Sequence, residues 1–389
     1  MANDLTFNQV STILNGVLEQ ATGQKSIAAT NTAQFVTQAQ TALKIGYDPI
    51  MNAVSQVLGR TIYSVRPYTA KFRGIMKSEQ QWGNHVRKIN YVDKDFEDAQ
   101  EWTLTDGSAV DQYKINKPGI LQTNFYGFEV YQRSITTFRD QLENAFQGPD
   151  QMGEFFTGAM QNASDQIEQA HENMSRASVA NFIGGKVAGD TSNVIHLLTE
   201  YNAYSGASLT AETMRAPENF EPFIKFAYAR IKTIAGLMSE RSTKFHVNVE
   251  GSEIMRHTPA DRLKMYVLAQ ELNTIQTTVL SSVFNERFLR LVDYEEVNFW
   301  QSIDTPASVN VQASYLGTDG EIKTAVSATQ TNGVFAVLFD EEAIGQTTNN
   351  RSVDVTPYNA AGKYWNTFFH FTERYWNDFT ENGVVFLLD

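Results

Sequence analysis

The sequence predicts an α+β fold organised around one very long helix and one late aromatic strand. Three observations carry this. In KYWNTFFHFTERYW, residues 363–376, seven of fourteen residues are aromatic and they occupy both faces of a strand. From Met152 to Val179, apolar residues recur at three- and four-residue steps behind Gly148–Pro149–Asp150. Residues 71–131 have strand character at both ends and a polar middle.

Taken in order, Leu5, Val10, Ile13, Leu14, Val17 and Leu18 form a helical stripe. Residues 21–46 are rich in Ala, Thr and Gln, with few large apolar groups, and read as an extended arm. A short helix follows from Asp48–Pro49 to Gly59. Val86, Ile89, Tyr91 and Val92 mark one strand arm; Leu121, Phe125, Phe128, Val130 and Tyr131 mark its return. Between them, residues 93–119 carry seven acidic and three basic residues. So long a polar excursion is unusual inside a compact domain, and it reads as a hairpin that leaves the body. Its scattered aromatics, Phe96, Trp102 and Tyr113, are the kind that anchor an interface.

The long helix is expected over about 150–183 and to stop at Gly184–Gly185. Residues 217–239 and 259–272 read as helices. Phe245–Val249, Phe288–Val292, Val309–Tyr315, Val334–Phe339 and Val384–Leu388 read as strands. The aromatic strand closes the core through Tyr364, Trp365, Phe368, Phe369, Phe371, Tyr375 and Trp376. Apolar groups on both faces predict a central strand covered on both sides.

Composition narrows the function. The 389 residues carry a net charge of −13, which opposes a nucleic-acid reader and an acidic-membrane binder. No cysteine is present, which excludes disulfides, thiolate catalysis and cysteine metal sites. Aromatics at 12% and charge at 19% suit a chain that buries surface against copies of itself. The N-terminus MANDLTFNQV has no signal pattern, and no run of about 18 apolar residues occurs, so no membrane role is expected.

Chemical motifs fail on inspection. FIGGKV, 182–187, lacks the first Gly and the Ser or Thr of a P-loop; its glycines read as a helix stop. Asp93, Asp95 and Glu97 begin like a calcium loop, but Asp98 replaces the required Gly and Leu104 the Glu. The six histidines show no ligand spacing. Glu295–Glu296 and Asp340–Glu341–Glu342 could pair carboxylates for hydrolysis, yet such clusters at strand ends are usually surface charge. No catalytic, metal or cofactor-binding residue is assigned.

The order of the pieces resembles the Hong Kong 97-type fold of tailed-phage major capsid proteins. KYWNTFFHFTERYWNDF, 363–379, and LTFNQV, 5–10, resemble the closing strand and N-terminus of capsid proteins from small short-tailed phages of Gram-positive hosts. The resemblance implies a division of the chain. Residues 1–70 would be an N-terminal arm with short helices, and 71–131 an E-loop hairpin. Residues 132–210 would be a peripheral domain with the spine helix, 211–345 an axial domain, and 346–389 closing strands of the peripheral domain. It implies self-assembly in hexamers and pentamers into an icosahedral virion shell around dsDNA bound without sequence specificity. It also implies a portal protein, a separate scaffolding protein, and assembly in the host cytoplasm. Some members crosslink a loop lysine, but no motif marks Lys94, Lys114 or Lys117 for that role. The rivals are an encapsulin-type compartment, an aromatic-rich carbohydrate-binding protein and a carboxylate hydrolase.

Overall fold

A computed structural model of the chain describes residues 7–22, 29–45, 48–54, 72, 75, 77, 86–92, 104–113, 115, 117, 119–126, 128–278 and 293–389. Helix α1 (Phe7–Thr22) buries Val10, Leu14, Val17 and Leu18 along one side. The stretch expected as an extended arm is instead mostly helix α2 (Thr32–Ile45). It buries Phe35, Ala39 and Ala42, a stripe too small to stand out in the sequence. Asn31 caps it, its side chain accepting from the Gln34 N–H at 2.9 Å. Helix α3 (48–54) adds Ile50, Met51 and Val54 to the same core.

Strands β1 (Val86–Val92) and β2 (Gly119–Phe125) pair antiparallel, with Val86 opposite Phe125 and Val92 opposite Gly119. Strand β3 (Phe128–Phe138) carries the chain back to the body, and α4 (Arg139–Ala145) turns it. Helix α5 (Pro149–Gly189) then runs 41 residues, about 60 Å. It does not stop at Gly184–Gly185. Those glycines lie inside the helix because other chain segments press on them. A Cβ on Gly184 would meet Val311 at 2.5 Å, and one on Gly185 or Gly189 would strike the ring of Phe379 or Tyr315.

Beyond α5 come β4 (Val194–His196), α6 (Leu197–Ser205) and α7 (Pro217–Met238). Phe245–Val249 is not a strand; Phe245 sits at φ 69°, and Val247 N–H bonds the Phe379 carbonyl in a loop. The helix expected over 259–272 is strand β5 (Leu263–Leu268) followed by α8 (Ala269–Thr278). Strand β5 is buried on both faces, so its apolar run lacks the period that distinguishes strand from helix. The strand expected at Phe288–Val292 lies outside the described residues; β6 (Asp293–Val297) follows. Short strands β7 (Val309–Val311), β8 (Ser314–Leu316), β9 (Ile322–Thr324) and β10 (Thr329–Thr331) pair as β7–β10 and β8–β9. The chain ends with β11 (Val334–Asp340), β12 (Ile344–Val355), β13 (Tyr364–Asn377) and β14 (Gly383–Leu387).

Two sheets organise these strands. One has the order β4-β14-β11-β5-β6, with β4 parallel to β14 and β5 parallel to β6. One face of it, including Met265, Leu338 and Phe386, packs on α6 and α7; the other, including Tyr266, Phe339 and Val385, packs on the C-terminal half of α5. The second sheet is antiparallel in the order β12-β13-β3, and its core side meets α1, α2, α3 and the N-terminal half of α5. One helix therefore serves both sheets. Gly185→Ala should cost about 1–3 kcal/mol through overpacking against Phe379, although alanine favours a helix by about 1 kcal/mol. Gly236→Ala, in α7 with nothing near its Cβ position, should raise the melting temperature. Thermal melts of both variants check the contrast.

Candidate assembly interface

Strands alternate their faces, so the β1–β2 pair has an inner and an outer side. Arg87, Ile89 and Tyr91 point outward with their partners Asn124, Gln122 and Ile120. Tyr91 is 69% exposed and lies opposite Ile120, 57% exposed. Nearby, Tyr113, Ile115, Tyr126, Phe128 and Val130 are also exposed. Residues 89–138 are about an eighth of the chain, yet hold eleven of the seventeen exposed large apolar side chains among the described residues. Among the described residues, nothing covers this surface. Of the sequence-derived contact residues, Tyr113 belongs to it at 83% exposure; Phe96 and Trp102 lie outside the described residues.

The inner side of the hairpin seats on the body. Phe125 meets Trp376 with ring centroids 6.2 Å apart. Lys88 donates to Asp378 at 2.8 Å and to Glu381, and Arg256 reaches Glu381 at 3.0 Å. Burial draws the Lys88 ammonium down, but Asp378 and Glu381 outweigh it and hold its pKa above the ordinary lysine value. Burial pushes the Glu381 carboxyl up against the pull of Lys88 and Arg256. A cation with a raised folded pKa contributes its full stability below its unfolded value, so the Lys88 ammonium is charged for pairing at neutral pH. The ammonium's share is lost as pH rises through the raised value, and the Glu381 share is lost when falling pH protonates that carboxyl, whose own pKa burial has raised. None of Lys88, Arg256, Asp378 and Glu381 was singled out from the sequence. Polar residues between strands, as in Asp378–Asn382, read as a solvated turn, whereas these five are buried.

Strand β13 lies between β12 and β3. Trp365, Phe369 and Phe371 are buried on its core side, and the Trp365 indole donates to Asp48 at 2.7 Å. Tyr364 and Phe368 lie on the opposite side, half-buried; Tyr375 and Trp376 are half-buried at the far end. Among the described residues, the expected cover on both faces is present on the core face only, apart from Phe125 against Trp376 at the far end. Trp365, at 1% exposure, cannot stack on a sugar. The core side also buries Glu373, which accepts from Thr348 at 2.9 Å and faces His171 at 3.2 Å.

The remaining motifs are structural. Lys186 of FIGGKV is fully buried in α5 and donates to Asp190 at 2.6 Å, so it is not offered to a phosphate; burial lowers its pKa. Glu341 and Glu342 pair with Arg262, and Asp340 accepts from Thr258. Among the described residues, no group of three His, Asp or Glu could hold a metal ion, and no helix is long and apolar enough to cross a membrane.

A model of the Phi29-like phage major capsid protein family matches residues 10–387. The chain belongs to this family. The capsid protein is thus a component of a phage virion shell, and the match gives no support to the encapsulin, carbohydrate-binding or hydrolase readings. Its fold is similar to a chain in the capsid structure of Staphylococcus phage Andhra, with a TM-score of 0.54 and 11% identity over 80% of this chain and 82% of that one. It is also similar to a chain of native bacteriophage P68, in a structure described as its head fiber and inner core protein gp22. There the TM-score is 0.52 at 11% identity, over 82% and 85% of the two chains. At that identity the likeness concerns the fold alone. No curated protein matches the sequence.

The outward residues of the hairpin make few contacts within the capsid protein itself. The double variant Tyr91→Ser, Ile120→Ser should therefore change subunit stability by no more than about 0.5 kcal/mol. Urea unfolding of the soluble subunit checks this; a larger loss would place both residues in the core.

Proposed function

We propose that the chain is a Hong Kong 97-type major capsid protein, many copies of which close an icosahedral shell around a phage dsDNA genome. The observation that carries this reading is the concentration of exposed apolar side chains over residues 89–138, on the β1–β2 hairpin and the start of β3, a surface that the described residues leave uncovered. On this reading residues 1–70 are the N-terminal arm and 71–131 the E-loop. Residues 132–210 form the peripheral domain with α5 as its spine, 211–345 the axial domain, and 346–389 the return to the peripheral domain. The route of β12 and β13 back to β3 supports that return. Phe96, Trp102 and Tyr113 act as intersubunit anchors.

The role is structural, with no catalytic step, metal or cofactor. The net charge of −13 suits a container wall, since a wall poor in cations releases few counterions and holds packaged DNA loosely. Hexamers and pentamers of the protein assemble in the host cytoplasm with a portal protein and a separate scaffolding protein.

Replacing residues 95–116 by a short Gly-Ser turn tests this directly. Loop length enters closure entropy only logarithmically, so the subunit should melt about as before. Electron microscopy, with scaffolding partner supplied, should show few or no closed particles. Particles at normal yield and stability would contradict the reading; a subunit that no longer folds would return the segment to the core.

A further inference from the structure

The seat of the hairpin is small and strongly charged. Its floor is the buried Asp378–Asn382 turn between β13 and β14. Asp378 is fixed there, accepting from the Thr380 N–H at 2.9 Å and the Thr380 hydroxyl at 2.6 Å. Arg256 clamps the turn from a different loop, donating to the Thr380 carbonyl at 3.0 Å and pairing with Glu381. Lys88 and Arg256 are the cations that pair directly with Asp378 and Glu381, and of these four only Lys88 belongs to the hairpin. If the hairpin lifts, Glu381 keeps Arg256, while Asp378 loses its ion-pair partner and is left with the more distant charge of Lys186. Removing one member of a buried pair is costly because it strands the other charge. A cavity of about 630 Å³ beside the seat, bordered by Lys88, Arg256 and Glu381, leaves one flank open.

The apolar part of the seat, Phe125 on Trp376, has little directional preference. The ion pairs have a strong one, since each donor must meet a fixed oxygen. We propose that Lys88 is a latch that sets the angle at which the hairpin leaves the subunit, and that breaking it lets the hairpin swing as a unit. The proposal rests on the assembly reading, because the angle matters for function only where a second copy receives the hairpin. Arginine at position 88 keeps the charge and the reach. Methionine keeps the aliphatic stem and removes the charge.

The chain contains no cysteine, so two introduced ones can be labelled without background. Ser108→Cys, in the hairpin segment, and Ser205→Cys, at the end of α6, are both exposed. Spin labels at these sites report the angle through their separation in the soluble subunit. One narrow distance is expected with Lys88 and with Lys88→Arg, and a second distance with Lys88→Met. Because Lys88→Met leaves the two carboxylates with one cation fewer, the double variant Lys88→Met, Glu381→Gln is measured too, with circular dichroism confirming its fold. It should show the second distance as well. A single unchanged distance in either folded neutral variant overturns the latch and assigns the angle to Phe125 and Trp376. Particle formation by the unlabelled wild-type chain is scored separately. Its failure would remove the assembly reading while leaving the distance result to decide the latch.

Discussion

The two sheets of this protein hang from one helix, and the rest of the structure depends on that shared packing. The N-terminal half of α5 supplies Met152 and Ile167 to the core under β13; its C-terminal half supplies Val179, Phe182 and Ile183 to the core under β11 and β14. At the passage between the two, Ser175 donates to Gln346, and His171 faces Glu373. Polar groups buried at that depth are tolerated only when matched, so they fix the register of helix against sheet. The glycines at 184, 185 and 189 then let neighbouring side chains approach the helix axis. An alanine-rich surface at those positions would hold them off.

A body built this way is self-sufficient, and that frees the hairpin to serve something else. Its strands bond to each other and touch the body at one end, through Phe125 and Lys88. Its outer face contributes nothing to the subunit's own core. Exposed apolar area of that extent is what an interface buries, and the anchoring of interfaces falls mainly to large side chains such as Tyr91 and Tyr113. On the assembly reading proposed above, folding and assembly draw on separate surfaces.

Much of this was legible in the sequence where one pattern dominated. The alternation of Tyr364 to Trp376 gave a strand, and the recurrence from Met152 to Val179 gave a helix. The hairpin was legible from its two apolar arms, although Phe128, Val130 and Tyr131 of the expected return arm belong to β3, which pairs with β13 in the body. What misled was chemistry with two readings. Gly184–Gly185 resembles a helix stop, but glycine also serves close packing. The small residues of α2 looked like an arm because alanine gives little hydrophobic signal. Strand β5 looked helical because both of its faces are buried. The seat of the hairpin was invisible, since Lys88, Arg256 and Glu381 meet only after folding brings together residues nearly 300 positions apart.

The central claim is that another copy covers the hairpin while the α5 core is complete in one chain. Amide hydrogen exchange, compared between soluble subunits and assembled particles, tests it most directly. The account predicts that β1 and β2 gain protection on assembly while residues 174–189 of α5 are equally protected in both states. Equal exchange of β1 and β2 in the two states, or a gain confined to α5, would contradict it.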